Sequence, residues 1–182
     1  MEEGCSHVAV FDVDEEASLA LVEACTTLAQ RVHGEAVTRG AVSPDDGEAT
    51  MPRVRFFRTN MASEEDVAAS VNAVVEWAGA VHVLVNNAAT FIFGEVQDVS
   101  EDAWDKVLAV NVKGYAFAMK HVFPAFKAVK GGSIVNLSSV TGFVAMKAVV
   151  PYCTTKGAII VSHGCCAAPS PASNPRVCVC CA

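Results

Sequence analysis

Tyr152 and Lys156 stand four residues apart, a spacing that puts a phenol and an ammonium one turn apart on the same face of a helix. A free tyrosine titrates near pH ~10, so proton exchange at neutral pH calls for a positive neighbour that favours the phenolate. Lys156 is such a neighbour. By itself the pair is a weak signal, because many helices carry a solvated Tyr and Lys at this spacing. Two further polar residues raise its weight. Ser139 lies thirteen residues before Tyr152, just past the apolar run SIVNL, and Asn111 interrupts the helical stripe of Trp104, Val107, Leu108 and Tyr115. Four such residues in this arrangement are harder to dismiss as coincidence.

These residues need elements to position them. The chain alternates short apolar runs with longer helical patterns. His7 to Phe11 reads as a strand, and from Glu15 onward Leu21, Cys25, Leu28 and Val32 mark a helix face. Most of the turn-forming residues of the first half fall between His33 and Pro52, which predicts a long surface loop. Arg53 to Thr59 reads as a second strand. Ser63 then caps a helix with Val67, Val71, Val74, Val75 and Ala78 on its apolar face, stopped at Gly79. Val81 to Val85 is apolar apart from His82, as expected of a parallel strand buried on both faces. Ser100 caps a third helix, Ser133 to Leu137 forms a fourth strand, and Pro151 opens the last helix. The pattern predicts an α/β fold, a Rossmann-like doubly wound parallel sheet whose sites lie beyond the carboxyl ends of the strands. Asp12, Asn60, Asn86 to Ala89 and Ser138-Ser139 follow such ends and are expected to converge.

The composition narrows the classes of function. A chain of 182 residues, 52% hydrophobic, can bury a core, and its net charge of -7 argues against nucleic-acid binding, which needs clustered Lys and Arg. The acidic start Met1-Glu2-Glu3 is unlike a signal peptide, and no apolar run approaches the ~18 residues of a membrane span. A cytoplasmic protein without a membrane partner is expected. Five of the eight cysteines, Cys165, Cys166, Cys178, Cys180 and Cys181, crowd into the last eighteen residues. Reduced thiols are expected there, and spacings of C-C and C-x-C-C, even with His163 nearby, argue against zinc.

The segments VFDVDEE, LVNNAAT, WDKVLAVNVKG, GGSIVNLSSVTG and PYCTTKGA resemble successive motifs of the short-chain dehydrogenase/reductase family, in the family's order, over about Gly4 to Ser162. The resemblance implies a nicotinamide-dependent oxidoreductase acting on a secondary alcohol or its ketone. It matches Asn111, Ser139, Tyr152 and Lys156 to the family's catalytic tetrad. Tyr152 would be the general acid/base and Ser139 would bind the substrate oxygen. Lys156 would hold the nicotinamide ribose and favour the Tyr152 phenolate, and the Asn111 carbonyl would hold a water linking Lys156 to solvent. Asp12 matches the acid that accepts from the adenine-ribose hydroxyls, which favours NAD over NADP. Asn60 and Met61 match the residues beside adenine. Asn87 and Ala88 belong to a segment that usually reads N-N-A-G, where Ala89 is a departure. Phe91, Phe93, Phe143, Val144 and Met146 flank this edge, as the wall of an apolar substrate pocket or as core or dimer residues.

The sequence also departs from the family. The glycine-rich T-G-x-x-x-G-I-G loop, which holds the pyrophosphate on backbone amides, has no counterpart, as though the chain starts one βα unit late. The first strand and the C-terminal elements are expected to be missing. Residues 1–163 read as a partial NAD(P)-binding Rossmann domain, and 164–182 as an irregular Cys-rich tail without helical or strand period. A homo-oligomer or mixed oligomer is expected through the helices bearing Asn111 and Tyr152. A non-catalytic truncated isoform that binds full-length subunits stands as the alternative function.

Overall fold

The computed structural model describes residues 5–41, 43, 53–166 and 176–181; over 163–166 and 176–181 the description is of the backbone. The chain divides into two compact units, Met1–Thr59 and Asn60–Ala182.

In the first unit, strand β1 (His7–Asp12), helix α1 (Glu15–Thr38) and strand β2 (Arg53–Arg58) follow in order. The strands pair in parallel from His7 opposite Arg53 to Asp12 opposite Arg58. Phe11 and Phe57, opposite each other in this register, meet edge to face with centroids 5.9 Å apart. Asp14 caps α1 by accepting from the Ala17 amide at 3.0 Å. Two expectations are corrected here. The loop predicted from His33 onward is helical as far as Thr38; Gly34 weakens that stretch by propensity without breaking its hydrogen bonds. Residues 44–52 of the predicted loop lie outside the described residues. The covered face of α1 is also rotated from the predicted one: Leu21, Leu28 and Val32 are exposed, whereas Ser18 is buried and Val22, Cys25 and Ala29 are half-buried.

The second unit is built on a three-stranded parallel sheet in the order β3-β4-β5, with β3 at Val83–Asn86, β4 at Ser133–Ser138 and β5 at Arg176–Cys181. Its helices are α2 (Glu64–Ala78), α3 (Glu101–Leu108), α4 (Gly114–Ala128) and α5 (Val150–Cys166). Helix α2 follows its sequence signals: the Ser63 hydroxyl accepts from the Asp66 amide, Val67, Val71 and Val74 are buried, and Gly79 closes the helix at φ 77°. That left-handed conformation is one glycine adopts without steric cost. The core sits where α4 crosses the sheet. Phe126, Val122 and Ile134 are buried together, with Leu84, Met119 and Phe123 packed against them.

Two further expectations fail in this unit. β3 is not buried on both faces: Val83 and Val85 are 58% and 55% exposed, because α4 packs on the face that carries Leu84 and Asn86 and the opposite face is left uncovered among the described residues of this unit. The tail expected to be irregular from 164 contributes the end of α5 to Cys166 and all of β5. β5 pairs with β4 from Ser133 opposite Arg176 to Ser138 opposite Cys181. RVCVCC has no polar alternation to announce a strand, and pairing on β4 rather than local pattern decides its state.

The helix predicted after Ser100 is broken into α3 and α4 by a π turn over Ala109–Lys113. Such one-turn bulges concentrate at functional sites. Gly114, directly after the turn, lets the Met61 segment approach closely: a Cβ on Gly114 would lie 2.7 Å from the Met61 carbonyl oxygen.

Candidate active site

The π turn, the end of β4 and the first turns of α5 bring three of the four expected catalytic residues into one network. Asn111 is fully buried. Its side-chain oxygen accepts from the Thr90 amide at 2.7 Å, and its amide donates to the Thr90 carbonyl at 3.0 Å and to Thr155 Oγ1 at 3.1 Å. The side chain of Asn111 is therefore committed to structure, tying the loop after β3 to α5. Thr155 donates in turn to the Tyr152 carbonyl at 2.8 Å.

Lys156 is 2% exposed, and burial lowers the pKa of its ammonium from the ordinary lysine value. Its Nζ donates to the Leu137 carbonyl at 2.7 Å and lies 5.5 Å from the Tyr152 ring centroid and 5.7 Å from that of Tyr115. The expected pair of Tyr152 and Lys156 on one helix face is present. Tyr115 is buried and donates its hydroxyl to the same Leu137 carbonyl at 3.3 Å. Burial, with a smaller contribution from Tyr152, pushes the Tyr115 phenol well above its usual range.

Ser139 is placed next to this network without joining it. Its hydroxyl caps the short 3-10 turn Val140–Gly142 by accepting from the Thr141 amide at 3.2 Å, and among the described residues no hydrogen bond links it to Tyr152. Its neighbour Ser138 is buried and donates to the Lys156 carbonyl at 2.8 Å, which docks the end of β4 on α5. Gly142 packs against the same carbonyl; a Cβ there would lie 2.9 Å from it.

The nucleotide-side residues fall in both units. In the first, Asp12 is exposed, and Oδ1 accepts from the Val13 and Asp14 amides at 2.7 and 3.0 Å. It thus makes a strand-end turn while its second carboxylate oxygen makes no hydrogen bond among the described residues. In the second, the Asn60 side-chain oxygen accepts from the Ala62 amide at 3.0 Å, Met61 is buried, Asn87 is exposed and Ala88 half-buried. Asn86, just before them, donates to the Asn136 side chain at 2.8 Å, which fixes the carboxyl end of β3 beside β4.

Of the apolar flank, Phe91 meets Tyr152 edge to face at 4.7 Å and Phe93 at 4.6 Å. Phe91, Phe93, Phe143, Val144 and Met146 are all exposed, so they are not core residues. Their two loops are stapled where the Gly94 amide donates to the Ala148 carbonyl at 2.9 Å. The sequence reading missed Thr155 and Leu137 as partners of the site and left Tyr115 as a stripe residue. Thr155 lies between Tyr152 and Lys156, and Tyr115 stands four residues after Asn111, so spacing alone could have placed the first and suggested the second.

The sequence profile of the family described as short chain dehydrogenase matches residues 33–181. The chain belongs to this family. It is 33% identical over 146 residues to 2-(S)-hydroxypropyl-CoM dehydrogenase 3 of Xanthobacter autotrophicus (strain ATCC BAA-1158 / Py2), covering 80% of this chain and 53% of that relative. Among solved structures, a short chain dehydrogenase/reductase from Burkholderia phymatum in complex with NAD matches with a TM-score of 0.75 at 25% identity, over 95% of this chain and 55% of the other. An NAD+-bound xylitol dehydrogenase matches with a TM-score of 0.72 at 27% identity, over 95% and 58%. The chain thus spans about half the length of the relatives it matches. These likenesses support an incomplete Rossmann-like fold and dehydrogenase ancestry.

Proposed function

We propose that the chain is an oxidoreductase that moves a hydride between NAD(H) and a small alcohol or its ketone, with Tyr152 as the general acid/base. One observation carries this reading: the buried Lys156 ammonium faces the Tyr152 ring at the carboxyl end of β4. A cation there stabilises phenolate. Tyr152 would pass a proton to or from the substrate oxygen, with Ser139, whose hydroxyl only accepts in its turn, donating a hydrogen bond to that oxygen. Asn111 would hold a water through its backbone carbonyl, linking Lys156 to solvent. The exposed Phe91 and Phe93 beside Tyr152 favour a substrate with apolar surface next to the reacting carbon.

The residues present fit a dinucleotide at its nicotinamide end. Lys156 has one hydrogen-bond acceptor among the described residues, which leaves ammonium donors for ribose hydroxyls. The nicotinamide, when bound, supplies or accepts the hydride. Asp12 would take the adenine-ribose hydroxyls and repel a 2′-phosphate, favouring NAD over NADP, and Asn60, Met61, Asn87 and Ala88 would line the adenine side. Assembly as a homo-oligomer or mixed oligomer would use the helices bearing Asn111 and Tyr152.

The test is a fluorescence titration of the purified chain with NADH, beside Lys156→Ala. Saturable binding in the parent that the variant loses is the expected result. No saturation up to millimolar NADH would overturn the reading. A second reading, a non-catalytic isoform that binds full-length subunits, is favoured by the uncovered β3 face with Val83 and Val85. Mixed oligomers that form without NADH oxidation would select it.

A further inference from the structure

Lys156 is buried without an anion. No carboxylate among the described residues lies within ion-pair distance of it. Among the described residues the ammonium meets one carbonyl, that of Leu137, and two rings, those of Tyr115 on α4 and Tyr152 on its own helix. Taking an ammonium out of water favours the neutral amine unless the protein returns some of the lost stabilisation. A ring face within about 6 Å does so through its quadrupole, and more strongly once water is excluded. Tyr152 would be the reacting group and would change charge in use. Tyr115 is buried, and burial holds its phenol in the neutral form, so its ring is the constant wall.

We propose that Tyr115 is a positioning residue for Lys156: its ring forms the second wall of an aromatic cage that keeps the buried ammonium charged and facing Tyr152, while its hydroxyl and the ammonium share the Leu137 carbonyl. Because Asn111 sits one turn earlier in the π segment and is anchored to Thr155 on α5, the turn that fixes Asn111 also sets where the Tyr115 ring meets Lys156. The catalytic consequence rests on the hydride-transfer reading above; the cage itself does not.

The test replaces Tyr115 by Phe, by 4-fluorophenylalanine and by 3,4,5-trifluorophenylalanine in protein carrying 13C-ε-labelled lysine, and follows the Lys156 resonance, assigned by its loss in Lys156→Ala, against pH. Fluorination drains the ring face while conserving its shape, so a folding failure is not built into the series. The titration midpoint of Lys156 is expected to fall stepwise from Phe to the trifluoro ring, by roughly 0.5 to 1 pH unit in all. The same midpoint across the series would overturn the proposal, because a merely space-filling Tyr115 would not respond to ring charge. A stepwise shift in a protein that fails to bind NADH keeps the cage and removes the oxidoreductase reading; NADH binding with a flat series does the reverse.

Discussion

The side-chain amide of Asn111 donates to Thr155 Oγ1 across 3.1 Å, so the π turn and the helix that carries Tyr152 and Lys156 are joined through a buried hydroxyl. Thr155 has little else to do: its hydroxyl spans Asn111 and the Tyr152 carbonyl. Thr155→Val keeps the shape and leaves one Asn111 donor unsatisfied in the core. A loss of about 1–3 kcal/mol is expected in urea unfolding, with Thr155→Ser recovering most of it. Equal stability of the Val and Ser variants would show that the bond carries no weight.

Gly142 and Gly157 face each other across the contact of the 3-10 turn with α5, yet they should respond oppositely to alanine. At Gly142 a new Cβ would press on the Lys156 backbone carbonyl at 2.9 Å, which has no flexible way out. At Gly157 the nearest atom is 3.6 Å away, an ordinary contact. Gly142→Ala is expected to cost about 1–3 kcal/mol and to weaken NADH binding by displacing Lys156. Gly157→Ala, inside a helix, is expected to gain about 0.5–1 kcal/mol. Thermal melts of the two variants with a parallel NADH titration check both signs.

Thr141 Oγ1 is buried and finds no hydrogen-bond partner among the described residues. A hydroxyl in that state opposes folding, so Thr141→Val is expected to raise stability by roughly 1 kcal/mol. A drop in the denaturant midpoint would mean that the hydroxyl has a partner after all.

At alkaline pH two groups act in opposite directions. The Tyr115 pKa is raised above its ordinary 10.0, so the native state keeps a proton that the unfolded chain releases. Its stabilisation is present below that pH and is lost as pH rises beyond it. The Lys156 pKa is lowered from 10.5, so the unfolded chain holds the extra proton and stability rises as pH climbs through the folded value toward 10.5. Denaturant midpoints measured between about pH 8 and about pH 11 should therefore fall less above pH 10 in Tyr115→Phe than in the parent. Parallel curves would contradict the assignment to Tyr115.

Much of this architecture is written locally. Ser63 and Ser100 announce helix starts, Gly79 an end, and the valines of α2 fall on its buried face as their spacing says. The pairing of Tyr152 with Lys156 is equally local, since one helical turn sets it. What the sequence hid depends on distant partners. Nothing near Val83 and Val85 tells that one face of their strand stays uncovered, because that is decided by which distant helices pack on the sheet. RVCVCC became a strand through a partner 43 residues earlier in the chain. The Leu21 face of α1 misled because Leu21, Leu28 and Val32 define one stripe while Ser18, Val22, Cys25 and Ala29 define the covered one. Ser139 could be placed at the site by spacing, but its present bond to the Thr141 amide needed coordinates.

The π turn at Ala109–Lys113 makes the residue count through this segment a geometric quantity. There the Gly114 amide bonds to a carbonyl five residues back instead of four, so the turn holds one residue more than an α-helix would. Deleting one residue within it would let the backbone close as an ordinary α-helix with Trp104 and Val107 still in phase with Tyr115 and Val122, and what would be lost is the local widening at Asn111. Deleting one residue on either side of the turn would instead rotate one half by about 100° against the other, and both halves could not then keep their buried faces.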